Sequence, residues 1–202
     1  MKKILGILCL VAAASATASA MEWGLKAGPS FSRFRFTEGL GQGWQPLSSL
    51  QVGAFLDLRI FGSFIFRPEI LFSRLGGEFS SAYAGTDIRL RERLDYLLLP
   101  VLLKFEIPIV RGLSFRLCGG GYGAALIGAK TVMKFADETY EEDIREEIRP
   151  FDFGYSLGLE VGWKKFILEL RHNRGITDIK KYHQQVYAIY LSGWVVLLGY
   201  RF

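Results

Sequence analysis

The strictest constraint on this chain is a two-residue alternation of polar and apolar side chains. In residues 152–163, every odd-numbered position is aliphatic or aromatic, and every even-numbered position is glycine, serine or an acidic residue. A helix would mix these two sets around its circumference, whereas a strand places them on opposite faces. The segment is therefore predicted to be a β-strand with one apolar and one polar face.

Seven further segments alternate in the same way, some clearly and some weakly. Such period-two segments, separated by residues that favour turns, are typical of individual strands. The chain is therefore predicted to contain eight strands. They cover residues 23–36, 50–60, 64–74, 94–106, 113–127, 152–163, 166–171 and 194–202.

The connections between these strands are short and long in turn. The short ones are 61–63, 108–112 and 164–165, and the long ones are 37–48, 76–93, 128–149 and 175–184. Single-chain bacterial outer-membrane barrels have an even number of antiparallel strands, short periplasmic turns and longer external loops. The parity therefore predicts an all-β fold, namely an eight-stranded antiparallel up-and-down transmembrane β-barrel in the outer membrane.

The apolar faces are expected to contact lipid. The interior of an eight-stranded barrel is only wide enough for side chains, which suits the glycine and serine residues of the polar faces. Aromatic residues such as Trp23, Trp163 and Tyr200 fall near the short-turn rim, as they do at membrane interfaces. No apolar run beyond residue 20 approaches the ~18 residues that a membrane helix needs. The alternative is a soluble barrel with the two faces reversed.

The first twenty residues have the layout of a secretory signal peptide. Lys2 and Lys3 precede a short apolar run, and the sequence Ala18-Ser19-Ala20 offers a cleavage site. Residues 1–20 are therefore predicted to be the signal peptide, and residues 21–202 the barrel domain. An uncleaved membrane anchor is the alternative interpretation.

The polar faces carry charges of both signs, which we expect to form a polar network inside the barrel. A charge in a narrow lumen is costly unless it is paired or hydrated. We therefore expect these residues to fill the barrel and fix its shape, with a path for ions or a substrate as the alternative. The predicted network comprises Asp57, Arg59, Arg67, Glu69, Tyr96, Lys104, Arg116, Glu160, Glu169 and Arg171.

Three prolines fall within predicted strands, at Pro29, Pro68 and Pro100. Each proline removes one hydrogen bond from the ladder, and a closed barrel has no free edge where that loss would be harmless. We therefore expect bulges or bends at these positions, or strands that begin nearer to the prolines.

Several motifs occur in order along the chain, namely RPEILFS at 67–73, LDYLLLPVLLK at 94–104, GGGYG at 119–123, the segments 152–160 and 169–179, and GYRF at 199–202. In this order they resemble a known family, the small outer-membrane β-barrel proteins of Bacteroidota that include PorT-like proteins. The resemblance implies the barrel fold and a role for Phe202 as a signal to the outer-membrane assembly machinery. It also links PorT-like members to secretion of proteins across the outer membrane.

No catalytic, cofactor-binding or metal-binding site is predicted. The two histidines are His172, expected on the apolar face near the outer rim, and His183, expected in the last external loop. Ser192 lies nine residues beyond His183, at a spacing that does not argue for contact. The glycines at 119–123 lack the Lys-Ser/Thr ending of a phosphate-binding loop. The acidic stretch 137–147 is expected to be a solvated loop, in part helical or hairpin, with binding of a cation or a partner as the alternative.

The sequence therefore predicts a barrel with a structural or interaction role, without a cofactor, that presents long external loops. The expected partners are outer-membrane lipid, the assembly machinery, and secretion or surface proteins. Nucleic acid is excluded because the net charge of +5 is small and its basic residues are scattered. The alternatives are an accessory role in protein secretion and, as a weaker hypothesis, a lipid-modifying enzyme that uses histidine with serine and an acid.

Overall fold

The computed structural model describes residues 21–37, 43–83, 86–135, 138–181 and 188–202. The predicted signal peptide lies outside these residues. The strands are β1 (Met21–Phe36), β2 (Trp44–Phe61), β3 (Phe64–Tyr83), β4 (Thr86–Val110), β5 (Leu113–Phe135), β6 (Glu138–Asp143), β7 (Phe151–Trp163), β8 (Phe166–Gly175) and β9 (Ile189–Arg201). Within the same residues, no helix is long and apolar enough to cross a membrane.

Eight of these strands form a closed antiparallel ring. Each pairs with its neighbours along the chain, and β1 pairs with β9 to join the two ends. The short strand β6 stands outside the ring and extends a hairpin from β5, which itself pairs with β4 and β7. The predicted eight-stranded up-and-down barrel is therefore confirmed.

The two faces of each strand differ in exposure as the alternation predicts. On β7, Phe153 and Leu157 are 53% and 57% exposed, whereas Asp152 and Glu160 are fully buried. The outward surface of the ring is a continuous apolar band. A soluble barrel would show the reverse, so the faces are arranged as in a barrel surrounded by lipid.

Two hairpins extend farther than the sequence predicts. Strands β3 and β4 continue to Tyr83 and from Thr86, so that most of the expected loop 76–93 is strand. Strand β5 continues to Phe135 and pairs with β6 inside the acidic stretch. In the upper part of β4, Arg89 and Arg91 alternate with Ile88 and Leu90, so the charged residues lie on the outward face. A strand beyond the lipid needs no apolar outward face, so its sequence lacks the signal on which the prediction depended.

The expected bulges at the three prolines are absent from the structure. Strands β3 and β4 keep a single register across Pro68 and Pro100, and β1 keeps its register with both neighbours across Pro29. The ladder is merely interrupted beside each proline on one side, as between Phe66 and Glu69 against β2. The lost hydrogen bond is therefore tolerated because intact pairs on either side hold the register.

The interior has two layers of different chemistry. Buried ions occupy the half near the short turns, and an apolar cluster fills the half near the long connections. The sequence predicts the charges and glycines of the interior but not this apolar layer. Its strand residues are Phe34, Leu71, Leu94, Tyr96, Leu98, Tyr122, Ala124, Leu126, Ala129, Ile189 and Leu191, and Ile144, Ile148 and Ile179 join them from two long connections.

Candidate functional site

Glu160 on β7 is the central acceptor of the ionic layer. Its carboxylate is fully buried and binds the side chains of three cations from three other strands. Arg67 Nη1 donates at 2.6 Å, and Lys104 Nζ and Arg116 Nη1 each donate at 2.5 Å. A strand places alternate residues on one face, so four strands of a ring can aim their inward side chains at one point.

A second group of ions surrounds Lys26 on β1. Lys26 Nζ donates to Glu69 Oε1 at 2.5 Å and to Glu169 Oε2 at 3.1 Å. Arg171 donates to Glu69 at 2.8 Å and forms a shorter contact with Glu169. All four side chains have at most 1% of their surface exposed. Because Arg67 and Lys104 also approach Glu169 at 3.7 Å, the two groups form one network.

Arg67 connects this network to the aromatic ring of Phe55. Its guanidinium binds Asp57 through two nitrogens, with Nη2 to Oδ2 at 2.5 Å. The same guanidinium lies over the Phe55 ring, 4.1 Å from the ring centre. Phe55 is 3% exposed and faces inward among the charges. The Arg67 side chain is therefore held by its hydrogen bonds to Asp57 and by its contact with the Phe55 ring.

The structure brings nine of the ten predicted network residues into connected ion pairs, with Arg59 joined through Glu106. Arg59 faces the same interior but lies at the short-turn rim, where it pairs with Glu106 and keeps 40% of its side chain exposed. Tyr96 is buried in the apolar layer instead, and its hydroxyl has no hydrogen-bond partner among the described residues. The expectation that Tyr96 belongs to the polar network is therefore wrong. The alternation of the strand correctly places Tyr96 on the inward face. It does not indicate how far along the barrel axis the residue lies, and so does not separate the ionic layer from the apolar layer.

Two members of the network were missed by the sequence reasoning. Lys26 lies between Leu25 and Ala27 in a weakly alternating strand, where its inward parity was a usable signal. Glu106 receives hydrogen bonds from Arg59 and Arg116, including 2.8 Å from Arg116 Nε. It lies at the very end of a predicted strand, where sequence boundaries are least certain.

The long connections fold over the outer end of the apolar layer. The backbone of Ile148 pairs with that of Lys180, and Arg149 N donates to Ile179 O at 2.8 Å. Beneath this crossing, burial raises the pKa of Glu92, with Glu147 adding to the rise and Lys180 opposing it. Two segments far apart in sequence thus form one cap, which we name the outer cap. It comprises residues 144–149, between β6 and β7, and residues 178–181, between β8 and β9.

The fold agrees with a known protein family. The outer membrane protein beta-barrel domain family matches residues 13–181 of the chain. The chain belongs to this family. Its location is accordingly the outer membrane, as the sequence predicts.

Solved structures of outer-membrane barrels resemble this member of the family in fold alone. Ail, the attachment invasion locus protein of Yersinia pestis, is 12% identical, with a TM-score of 0.48 over 90% of this chain and 98% of that chain. The outer membrane protease OmpT from Escherichia coli is 9% identical, with a TM-score of 0.48 over 92% and 98%. Neisserial surface protein A is 9% identical, with a TM-score of 0.40 over 89% and 97%. No curated protein sequence matches the chain.

A histidine–serine contact lies on the outward face of this family member. His172 Nε2 is 3.1 Å from Ser192 Oγ, and the His172 ring lies 4.7 Å from the ring of Trp194. Along the sequence, the histidine nearest to Ser192 is His183, which lies outside the described residues. Adjacent pairing of β8 and β9 could have revealed the contact. Neither His172 nor Ser192 contacts a carboxylate in the described part of the chain, so the pair lacks the acid of a catalytic triad.

The acidic stretch and the C-terminus occupy opposite ends of the barrel. The stretch forms the exposed strand β6, and the described residues contain no group of three or more side chains placed to hold a metal ion. At the short-turn end, Phe202 stacks on Trp23 with ring centres 4.2 Å apart, and its N–H donates to Trp23 O at 2.9 Å. Phe202 therefore continues the ladder between the last strand and the first.

Proposed function

We propose that this protein is a closed, non-catalytic outer-membrane barrel with a structural or interaction role, which presents its external hairpins to the cell exterior. The observation that carries the proposal is the ionic network centred on Glu160. Its cations and anions come from seven of the eight ring strands and meet in the centre of the barrel. A lumen crossed by such bonds has no room for a hydrated solute.

The apolar layer supports the same conclusion for the outer half of the barrel. Leu71, Leu94 and Leu98 have at most 1% of their surface exposed, and Ile179 of the outer cap packs with them. An apolar constriction of this kind excludes ions because nothing in it replaces their hydration. Two seals of different chemistry therefore lie in series.

The surface that remains for function lies beyond the membrane. The hairpins β3–β4 and β5–β6 carry outward charges of both signs, among them Arg89, Arg91 and Glu141. Charged, exposed strands are suited to contacts with other macromolecules at the cell surface, where complementary charge sets specificity. The barrel then acts as the anchor, and the hairpins act as the contact surface.

Conductance in a planar bilayer tests the closed lumen. The purified wild-type barrel is expected to give no stepwise current. Replacing both Arg67 and Glu160 with alanine removes one cation and one anion together from the ionic layer, and is expected to remain non-conducting because the apolar layer still closes the outer half of the barrel. Steady wild-type channels of uniform size would overturn the proposal. Heat-modifiable migration on a gel shows that each sample is folded.

A pull-down from membranes tests the interaction role. Wild-type barrel is compared with a variant whose β5–β6 hairpin is shortened, so that partners specific to the hairpin are lost from the variant. Recovery of secretion components would favour the narrower role suggested by the PorT-like motifs, an accessory to protein secretion. Recovery of the same proteins with both forms would argue against recognition by this hairpin.

The absence of an enzyme activity is part of the proposal. Among the described residues, the His172–Ser192 pair is the nearest approach to a catalytic arrangement, and no carboxylate there contacts it. Replacing His172 with alanine is expected to leave the lipid A of the host cells unchanged by mass spectrometry. A change in lipid A acylation would establish a lipid-modifying enzyme instead.

A further inference from the structure

Two unpaired arginines flank a serine at the outer end of the lipid-facing surface. Ser192 on β9 is the register partner of Arg33 on β1 and of Arg174 on β8. Adjacent strands lie about 4.8 Å apart, so the two arginines are separated by roughly 10 Å on one outward surface. Both side chains are exposed and form no ion pair or hydrogen bond with any described residue.

Aromatic side chains form the next row toward the membrane centre. Phe31, Trp194 and His172 are register partners across the same three strands. Phe31 and Trp194 are 43% and 53% exposed and mark the edge of the apolar band. The arginines therefore stand just above the lipid chains, at the level where lipid headgroups begin.

A third arginine completes the basic surface. Arg35 pairs in register with Tyr190, and its guanidinium lies 5.3 Å from the centre of that ring. Its Nη2 donates to Gly175 O at 3.3 Å, whereas its buried Nε has no partner within the described residues. The guanidinium is thus held in place while part of its hydrogen-bonding capacity remains unused.

No carboxylate among the described residues pairs with these three arginines. Elsewhere beyond the apolar band, two outward arginines have acidic partners, Arg74 with Asp95 and Arg91 with Glu78. Like charges side by side repel one another unless an anion lies between them. The patch formed by Arg33, Arg35 and Arg174, which we name the rim arginine patch, is therefore built for an anion from outside the chain.

We propose that the rim arginine patch binds the phosphate headgroup of an outer-leaflet lipid. The long connections follow these strand ends, so the patch faces the outer leaflet. Guanidinium groups bind phosphate through two parallel hydrogen bonds, and basic clusters beside membrane-spanning elements recognise anionic headgroups. The acyl chains of the same lipid would lie along Phe31 and Trp194.

Titration with bisphosphorylated lipid A tests the site. The detergent-solubilised barrel is titrated and bound lipid is counted by native mass spectrometry. Replacing Arg33 and Arg174 with glutamine is expected to weaken binding about tenfold, because two charge-assisted contacts are lost. The matched control replaces Arg89 and Lys134, which are exposed register partners on β4 and β5 farther from the lipid, and is expected to bind like the wild type.

Lipid A without phosphates provides a second measurement on the wild-type protein alone. It is expected to bind at least several-fold more weakly than the phosphorylated form. Equal binding of the two lipids, or equal loss in both double variants, would overturn the proposal. Competition by inorganic phosphate as strong as by lipid A would show a general phosphate site and would also overturn it.

Discussion

At the scale of single residues, the interior shows how position within a charge network sets the importance of a side chain. Glu160 compensates three buried cations, whereas Glu141 pairs with a single cation among the described residues, Lys130 at 3.5 Å on the exposed hairpin. Buried ion pairs are not strongly stabilising as a whole, because desolvation offsets attraction. Removing one partner is nevertheless costly, since the remaining charges stay buried.

Replacing Glu160 with glutamine keeps the shape of the side chain and removes its charge. The variant is expected to lose about 3 to 5 kcal/mol of unfolding free energy because Arg67, Lys104 and Arg116 lose their shared acceptor. Urea unfolding in detergent micelles, followed by tryptophan fluorescence, measures the loss. Replacing Glu141 in the same way is the control and is expected to change nothing measurable. Similar stabilities for the two variants would contradict the network.

The tyrosines Tyr96 and Tyr122 provide a second contrast inside the apolar layer. Tyr122 Oη donates to Asp152 Oδ2 at 3.2 Å, whereas the Tyr96 hydroxyl is buried without a partner in the described part of the chain. Replacing Tyr122 with phenylalanine is expected to cost about 0.5 to 1.5 kcal/mol, and the same change at Tyr96 is expected to be neutral or stabilising. The same unfolding measurement decides between them. A larger loss at Tyr96 would show that its hydroxyl has a partner after all.

At the scale of elements, the sequence predicts those parts of each strand whose outward face must be apolar because it contacts lipid. Strand β7 was placed to within one residue because its outward positions are all apolar and its inward ones are small or charged. The upper part of β4, with Arg89, Arg91 and Arg93 outward, is strand where the sequence predicts a loop. Beyond the membrane the outward side of a strand meets water, so its residues need not be apolar while the hydrogen-bonded ladder continues.

For the ionic network, the sequence predicts which residues face the interior but not which of them form contacts. Parity placed Arg67, Glu69 and Glu160 inside, because inward and outward positions differ by one residue. Which of them would touch depends on the relative positions of strands that face each other across the barrel without pairing, such as β3 and β7. Those positions are set by closure of the whole ring, so no local pattern predicts them.

Shortening the β5–β6 hairpin tests whether the extension is independent of the barrel. Deleting residues 134–139 and joining the ends with Asn-Gly, a favoured two-residue turn, removes two pairs between β5 and β6 and the last two pairs between β4 and β5, all at the outer end of these strands. The variant is expected to keep its heat-modifiable migration and its unfolding midpoint. Loss of the folded band would show that this hairpin is required for the ring to form. The same shortened variant is used in the pull-down from membranes.

At the scale of the molecule, the barrel is closed by its two ends. Strands β1 and β9 pair along most of their length, and Arg201 donates to Glu22 at 3.0 Å beside the Phe202–Trp23 stack. A ring without this last pair would leave two open edges in lipid, where unpaired backbone groups are costly. The contacts between the two terminal strands therefore stabilise the closed ring as a whole.

The assembly role of Phe202 remains a prediction that the closed structure makes testable. Its ring is 51% exposed on the outer surface, and its backbone supplies one rung of the closing ladder. Replacing Phe202 with alanine keeps that rung but removes the ring. The amount of folded barrel in the outer-membrane fraction is expected to fall several-fold, while protein refolded in detergent keeps its heat-modifiable migration. Tyrosine at 202 is the control and is expected to assemble normally, because an aromatic C-terminus is retained. If alanine impaired refolding in detergent as much as assembly in cells, the ring would act through stability alone, and recognition by the assembly machinery would not be needed to explain it.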